Sequence, residues 1–208
     1  MGINERKERE KEDLRKSILN AAREVFLEKG YESTSIRNIA EKIEYSPTTI
    51  YLYYKDKDAI LYALHAEGFC LLNGQMAVLA HVSDPFERLI AMGRIYLDFA
   101  MKNEELYDLM FIQQAPIDAI EADEKMWLEG KSAFDGLRLT IEECMQKGYF
   151  DFKNAEVASF VIWSTMHGMC ALQNRNRCNK VISDDLKDNI IQLGFAQFVE
   201  MLNSLRKK

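Results

Sequence analysis

Hydroxyl groups, phenols and two lysines crowd into the twelve residues from Ser46 to Lys57, SPTTIYLYYKDK, on a stretch with helical period. Ser46 offers a side-chain oxygen to cap free amides, and Pro47 suits a first helical position, where its missing N–H costs nothing. Ile50 and Tyr54 stand four residues apart as the inward pair, which leaves Pro47, Thr48, Thr49, Leu52 and Tyr53 on other faces. Short hydroxyls and aromatic OH groups of this kind suit a DNA groove, with Thr48 and Thr49 short enough to approach base edges. Lys55 and Lys57 follow directly as cations for phosphate.

A second set of residues with chemical potential lies in the C-terminal two thirds: Met92, Tyr96, Phe99, Met110, Met126, Trp127, Phe134, Trp163, Met166, His167 and Cys170. Soft and aromatic residues at helical spacing describe packing before they describe a cofactor box. His167 and Cys170 stand at i and i+3, yet no His-x-x-x-His or Cys-x-x-Cys completes a metal ligand set, so no metal or cofactor is expected. His65 and His81 stand alone and support no catalytic triad. The pairs Asp184-Asp185, Glu104-Glu105 and Glu142-Glu143 sit at helix starts or on solvated faces. With no nucleophile, base and orienter set and no Gly-rich phosphate loop, the chain does not read as an enzyme.

These residues require helices to position them. Ile36, Ile39, Ala40 and Ile43 recur at i, i+3, i+4 and i+7, so a helix there buries one stripe and leaves Arg37, Asn38, Glu41 and Lys42 to solvent. Arg37 fits either a contact to DNA or a solvated helix face. Together with the segment after Pro47 this makes a helix-turn-helix over residues 34–54, supported by a first helix from about Glu10 to Lys29 that stops at Gly30. Before it, ERKEREKED reads as a solvated helix extension rather than an arm for a minor groove. A fourth helix opens near Asp56 and runs towards Asn73. Further helices are predicted at 84–102, 104–114, 118–147, 154–174 and 184–205, about nine in all. No strand-length alternation occurs and the three prolines stand where helices begin or end, so the fold class is all-α. The expected organisation is a DNA-binding domain over 10–72 and a ligand-binding and dimerisation domain over 73–208.

The formal net charge of −6 is unevenly placed: residues 1–60 carry 12 basic and 12 acidic side chains, so the acidity belongs to the second domain. A neutral reading head still binds phosphate where its cations cluster. The four cysteines show no close pairing and the N-terminal stretch is charged, which points to a reducing cytoplasm. The longest uncharged run, Val157 to Asn174, holds too many polar groups for a membrane span and reads as a buried helix.

The N-terminal third resembles the TetR-type one-component regulators. Their pattern runs from "F-x-x-x-G-Y/F" through "T-x-x-x-I-A" and a turn to "S-x-x-T-I/L-Y-x-Y/H-F/Y-x-x-K". This chain has Phe26, Gly30, Tyr31, Thr34, Ile39, Ala40, Ser46, Thr49, Ile50, Tyr51, Tyr53, Tyr54 and Lys57 in those places. The family turn Ala-Gly-Val is replaced by Ile43-Glu44-Tyr45, which puts a non-glycine residue where a left-handed backbone is easiest. Trp163-x-x-x-His167-Gly168 is similar to a Trp-His-Gly signature of one subgroup of TetR C-terminal domains.

The resemblance implies DNA contacts from Thr34, Ser35, Arg37, Ser46, Pro47, Thr48, Thr49, Tyr51, Tyr53, Lys55 and Lys57, with Thr34, Tyr51, Tyr53 and Lys57 on phosphates. Tyr51 fits equally an aromatic packing role, and Thr34 and Ser46 fit simple helix caps. It further implies a small apolar or aromatic effector held by the Met and aromatic set. Dimerisation would use the last two helices, with Ile191, Phe195, Phe198, Leu202 and Leu205 repeating along the final one. Two recognition helices about 34 Å apart would read a pseudo-palindromic double-stranded operator. With no Arg, Asn or Gln in SPTTIYLYY, half-sites rich in A·T are expected. The function implied is a DNA-binding transcriptional regulator, in this family most often a repressor released by its effector. Alternatives are a helical regulator controlled by a protein partner and an all-helical enzyme or cofactor-binding protein.

Overall fold

The computed structural model describes residues 3–112 and 128–207, and among these all regular structure is helical. In chain order the helices are α1 (Ile3–Lys29), α2 (Ile36–Lys42), α3 (Pro47–Tyr51), α4 (Lys57–Met76), α5 (Pro85–Lys102), α6 (Glu104–Phe111), α7 (Leu128–Gln146), α8 (Ala155–Asn174), α9 (Cys178–Val181) and α10 (Ile190–Leu205). The short α9 is the one the hydrophobic period does not announce, and 118–127 of the predicted seventh helix lie outside the described residues. Helix α1 starts at Ile3 rather than Glu10: the charged prefix is helical, with Arg6 bonded to Glu10 one turn on at 2.7 Å. The described residues divide into two compact units, one of 3–69 with 105–112 and 128, the other of 70–104 with 129–207. Residues 105–112 therefore group with the N-terminal unit, although they fall beyond the expected boundary at 72.

In the first unit Ile18, Ala22 and Phe26 of α1 pack with Ile39 and Ala40 of α2, Ile50 of α3, Ile60, Leu61 and Leu64 of α4, and Leu109 of α6. Each fully buried Ile, Leu or Phe contributes roughly 1.5–3 kcal/mol, which is what holds helices as short as α2 and α3 in place. Between them the chain turns through Glu44, whose φ is +59°. The Tyr45 amide donates to the Ala40 carbonyl at 3.0 Å and the Glu44 amide to Glu41 at 3.3 Å, the paired bonds that close a helix through a left-handed residue. Glycine is the residue suited to that position, and here a glutamate occupies it.

Helices α4 and α6 meet at Gly68, where an added Cβ would lie 2.3 Å from Met110 Sδ and 3.2 Å from Leu106 Cγ. Met110, expected among the effector residues, fills with its side chain the space that Gly68 leaves. His65, one turn earlier on α4, is buried, and that burial pushes its pKa from 6.5 down to about 4, partly offset by a bond with the backbone of Leu109.

In the second unit Asp84 caps α5, accepting from the amides of Phe86 at 2.9 Å and Glu87 at 3.0 Å. Its other oxygen accepts from Tyr149 Oη at 2.8 Å, and Arg206 lies over the Tyr149 ring at 4.1 Å. The Glu87 amide is the first cause of a carboxyl pKa below the ordinary range. Helix α8 packs on α5 and α10. Two expectations change here. Ile191, Phe195, Phe198 and Leu202 of α10 are buried within the chain, so that stripe is intrachain core; Leu205, with Leu193 and Met201, is exposed. Helix α8 is amphipathic rather than buried: Ile162, Met166 and Cys170 face inward, while Val157, Phe160, Val161 and Leu172 are exposed.

Replacing Glu44→Gly removes a backbone penalty of about 1 kcal/mol and is expected to raise the unfolding midpoint by about 2–4 °C, read by thermal unfolding. Because the folded state holds His65 neutral, the unfolded chain takes up the proton first as pH falls. The stability His65 confers as a neutral group is intact above about pH 6.5 and is lost progressively towards pH 4, about 3 kcal/mol over the full window. Denaturant titrations of wild type and His65→Leu are expected to give a shallower loss for the variant over that window.

Candidate nucleic-acid interface and effector site

Helix α2 begins at Ser35, whose Oγ accepts from the Asn38 amide at 3.3 Å while Asn38 Oδ1 accepts from the Ser35 amide at 3.0 Å. This reciprocal cap is spelled by the spacing Ser-x-x-Asn, a signal the sequence carries. Helix α3 begins at Ser46, which accepts from the Thr49 amide at 3.2 Å, with the two hydroxyls 3.0 Å apart. Ile50 is wholly buried and Tyr54 nearly so. Arg15 of α1 donates to Tyr54 Oη at 3.2 Å, which confirms Tyr54 as core and pins α1 to the chain just past α3. The opposite face of α3 stays in solvent: Thr48 is exposed, Tyr51 is 56% exposed and Leu52 77%. The spacing marks Leu52 as off the inward face, and the structure leaves it open to solvent.

The remaining sequence-predicted residues divide. Ser35, Arg37, Pro47 and Lys55 are exposed and Tyr53 is half-buried; Arg37 pairs with Glu41 at 2.9 Å. Thr34 is not available: at 4% exposure its hydroxyl donates to the Gly30 carbonyl at 2.8 Å. Its phosphate role is corrected to one of joining α1 to α2. Lys57 is likewise engaged, donating to the Tyr31 carbonyl at 3.1 Å with its ammonium 4.1 Å above the Tyr31 ring. Lys55, by contrast, has a side chain that is 91% exposed.

In the second unit α5, α7 and α8 bring several of the predicted effector residues together. Trp163 Nε1 donates to Tyr96 Oη at 3.2 Å, and Tyr96 Oη lies 3.0 Å from His167 Nδ1. Indole only donates, so Tyr96 Oη accepts from Trp163, while which of Tyr96 Oη and His167 Nδ1 donates to the other is set by the imidazole tautomer. Burial also lowers the His167 pKa. Phe134 meets Trp163 edge-on with centroids 6.2 Å apart, and Met92 Sδ lies 3.5 Å from the Thr140 hydroxyl. Phe99 and Cys170 are core, and Met166 lies 3.7 Å from where a Cβ on Gly93 would be. Met126 and Trp127 lie outside the described residues. Among the described residues no group of three His, Cys, Asp or Glu side chains is placed to hold a metal ion.

Two family models match this chain. Residues 18–64 match "Bacterial regulatory proteins, tetR family", and residues 89–194 match "Tetracyclin repressor-like, C-terminal domain". The chain belongs to the TetR family. Among curated TetR-like relatives, the HTH-type transcriptional regulator UidR of Escherichia coli is 36% identical over 78 residues, 38% of this chain and 37% of that one. The HTH-type transcriptional activator FasR of Mycolicibacterium smegmatis is 30% identical over 102 residues, 49% of this chain and 47% of that one. The chain thus spans half or less of the length of these relatives. The crystal structure of the TetR family transcriptional regulator PfmR from Thermus thermophilus superposes with a TM-score of 0.69, at 20% identity, over 92% of this chain and 99% of that one. This TetR chain therefore shares the family fold along most of its length.

Tyr96→Phe takes away the oxygen shared by Trp163 and His167. It is expected to destabilise the second unit by about 1–3 kcal/mol and to shift tryptophan emission, both read in one denaturation series followed by fluorescence.

Proposed function

We propose that the protein is a homodimeric DNA-binding transcriptional regulator, a repressor released from its operator by a small apolar or aromatic effector. The observation that carries this reading is the α3 face of Thr48, Tyr51 and Leu52, held in solvent by a buried Ile50 inside a family-matching helix-turn-helix. Thr48 and the open Leu52 are suited to thymine methyls and hydroxyl contacts, while Ser35, Tyr51, Tyr53 and Lys55 serve the sugar–phosphate strands. The dimer is supported by the exposed apolar faces of α8 and α10, which bear Val157, Phe160, Val161, Leu172, Leu193 and Met201. The effector reading is supported by the Tyr96, Trp163, His167 and Phe134 cluster, an aromatic body with one polar corner of the kind that orients a ligand. The continuous helix α4, running from the reading head into residues of the second unit, is the element that would carry the change. An effector lowers operator affinity only by its differential affinity for the two states.

Selection from a random duplex library with the full-length protein is expected to return two inverted, A·T-rich half-sites with centres about 34 Å apart or a multiple of that. Unrelated or G·C-rich sequences would overturn the reading of α3. On the selected duplex, Thr48→Ala and Leu52→Ala are each expected to weaken binding about tenfold while leaving binding to a random duplex unchanged.

A further inference from the structure

The first turns of α1 lie beyond the core of the first unit, yet one side of them faces the reading head. Lys7, Lys11, Leu14 and Ser17 recur at helical spacing on that side and, with Glu10, Asp13, Tyr45 and Tyr53, line an open groove of about 690 Å³. Tyr45 stands just before the Ser46 cap of α3 and Tyr53 just after its end, so the groove is walled by the two residues that bracket the recognition helix. Arg15, held on Tyr54, fixes where α1 passes that point. From there Lys11 and Lys7 follow one and two turns back, about 6 Å and 12 Å along the axis.

The charges in the groove are not equivalent. Glu10 is bonded to Arg6 at 2.7 Å, whereas among the described residues neither Lys7 nor Lys11 has an ion-pair partner. Two ammonium groups one turn apart beside two phenol hydroxyls match a run of phosphates on one strand, and the groove volume suits a sugar–phosphate segment rather than a single ion. Leu14 packs against the core of the first unit.

We propose that this groove seats the DNA backbone flanking each half-site, with Lys7 and Lys11 as phosphate ligands and Tyr45 and Tyr53 alongside. The proposal rests on the DNA-binding reading above and extends it to a surface outside the helix-turn-helix. Such contacts add affinity without sequence preference and lengthen the footprint at each end of the operator. Asp13 stands in the same groove as a counterweight that keeps this non-specific component low.

The test is a salt series of binding to the selected duplex, extended at both ends, and to a random duplex of equal length, using the full-length protein. Lys7→Ala/Lys11→Ala is expected to lower the slope of log affinity against log salt by about 2 and to weaken binding to both duplexes alike. Asp13→Asn is expected to tighten both. Arg9→Ala, on the same helix but not in the groove, should leave the slope near that of wild type. A wild-type slope retained by the double variant, with helicity unchanged by circular dichroism, would overturn the groove while leaving the regulator reading intact. Failure of the wild-type protein to prefer the selected duplex would instead remove the reading on which the groove depends.

Discussion

The burial of Ile39, Ala40 and Ile50 against Phe26 and Ile18 is the interaction on which the reading head depends. A five-residue helix has no stability of its own, because nucleation fixes several residues for a single hydrogen bond. Helix α3 exists because its one inward side chain is wholly buried and because Ser46 satisfies an amide at its start. That same burial turns Thr48, Tyr51 and Leu52 outward. Thr34 and Lys57 belong to the same support: one ties the α2 start to the end of α1, the other ties the α4 start to Tyr31. Residues of types that bind phosphate are here used to fix the angle at which the exposed face is presented.

The left-handed Glu44 shows how far the packing overrides local preference. Its neighbours Ala40 and Ile50 are both buried, so the path of the turn is set by the hydrophobic contacts on either side and the glutamate must follow. The departure from the Ala-Gly-Val turn of relatives thus alters a local energy and leaves the fold unchanged, in line with a 0.69 TM-score to a TetR structure at only 20% identity. Helix packing in this fold is specified by apolar periodicity, which tolerates wide changes in identity.

In the second unit the Tyr96 oxygen links the Trp163 indole, which donates to it, to His167 Nδ1 at 3.0 Å. Burial lowers the His167 pKa below its ordinary value. The outer faces of α8 and α10 have the opposite character, with exposed Val157, Phe160, Val161, Leu172, Leu193 and Met201.

The apolar period of α2 and α3, the Ser46-Pro47 start, and the family pattern were legible because each depends on residues close in sequence. Short-range rules therefore determined the all-α class, the helix-turn-helix and the inward placing of Ile50 and Tyr54. They did not reveal that Thr34 and Lys57 are occupied, since their partners Gly30 and Tyr31 are carbonyls whose approach depends on how α1, α2 and α4 pack. Nor did they show that Met110 fills the gap at Gly68, or that Ile191 to Leu202 face their own chain rather than another. The meeting of Tyr96 with Trp163 and His167, some seventy residues apart, likewise follows from the packing of α5 on α8. Sequence by itself determined which faces of the helices are apolar; only the tertiary structure decided what each face meets, because that depends on contacts between helices distant along the chain.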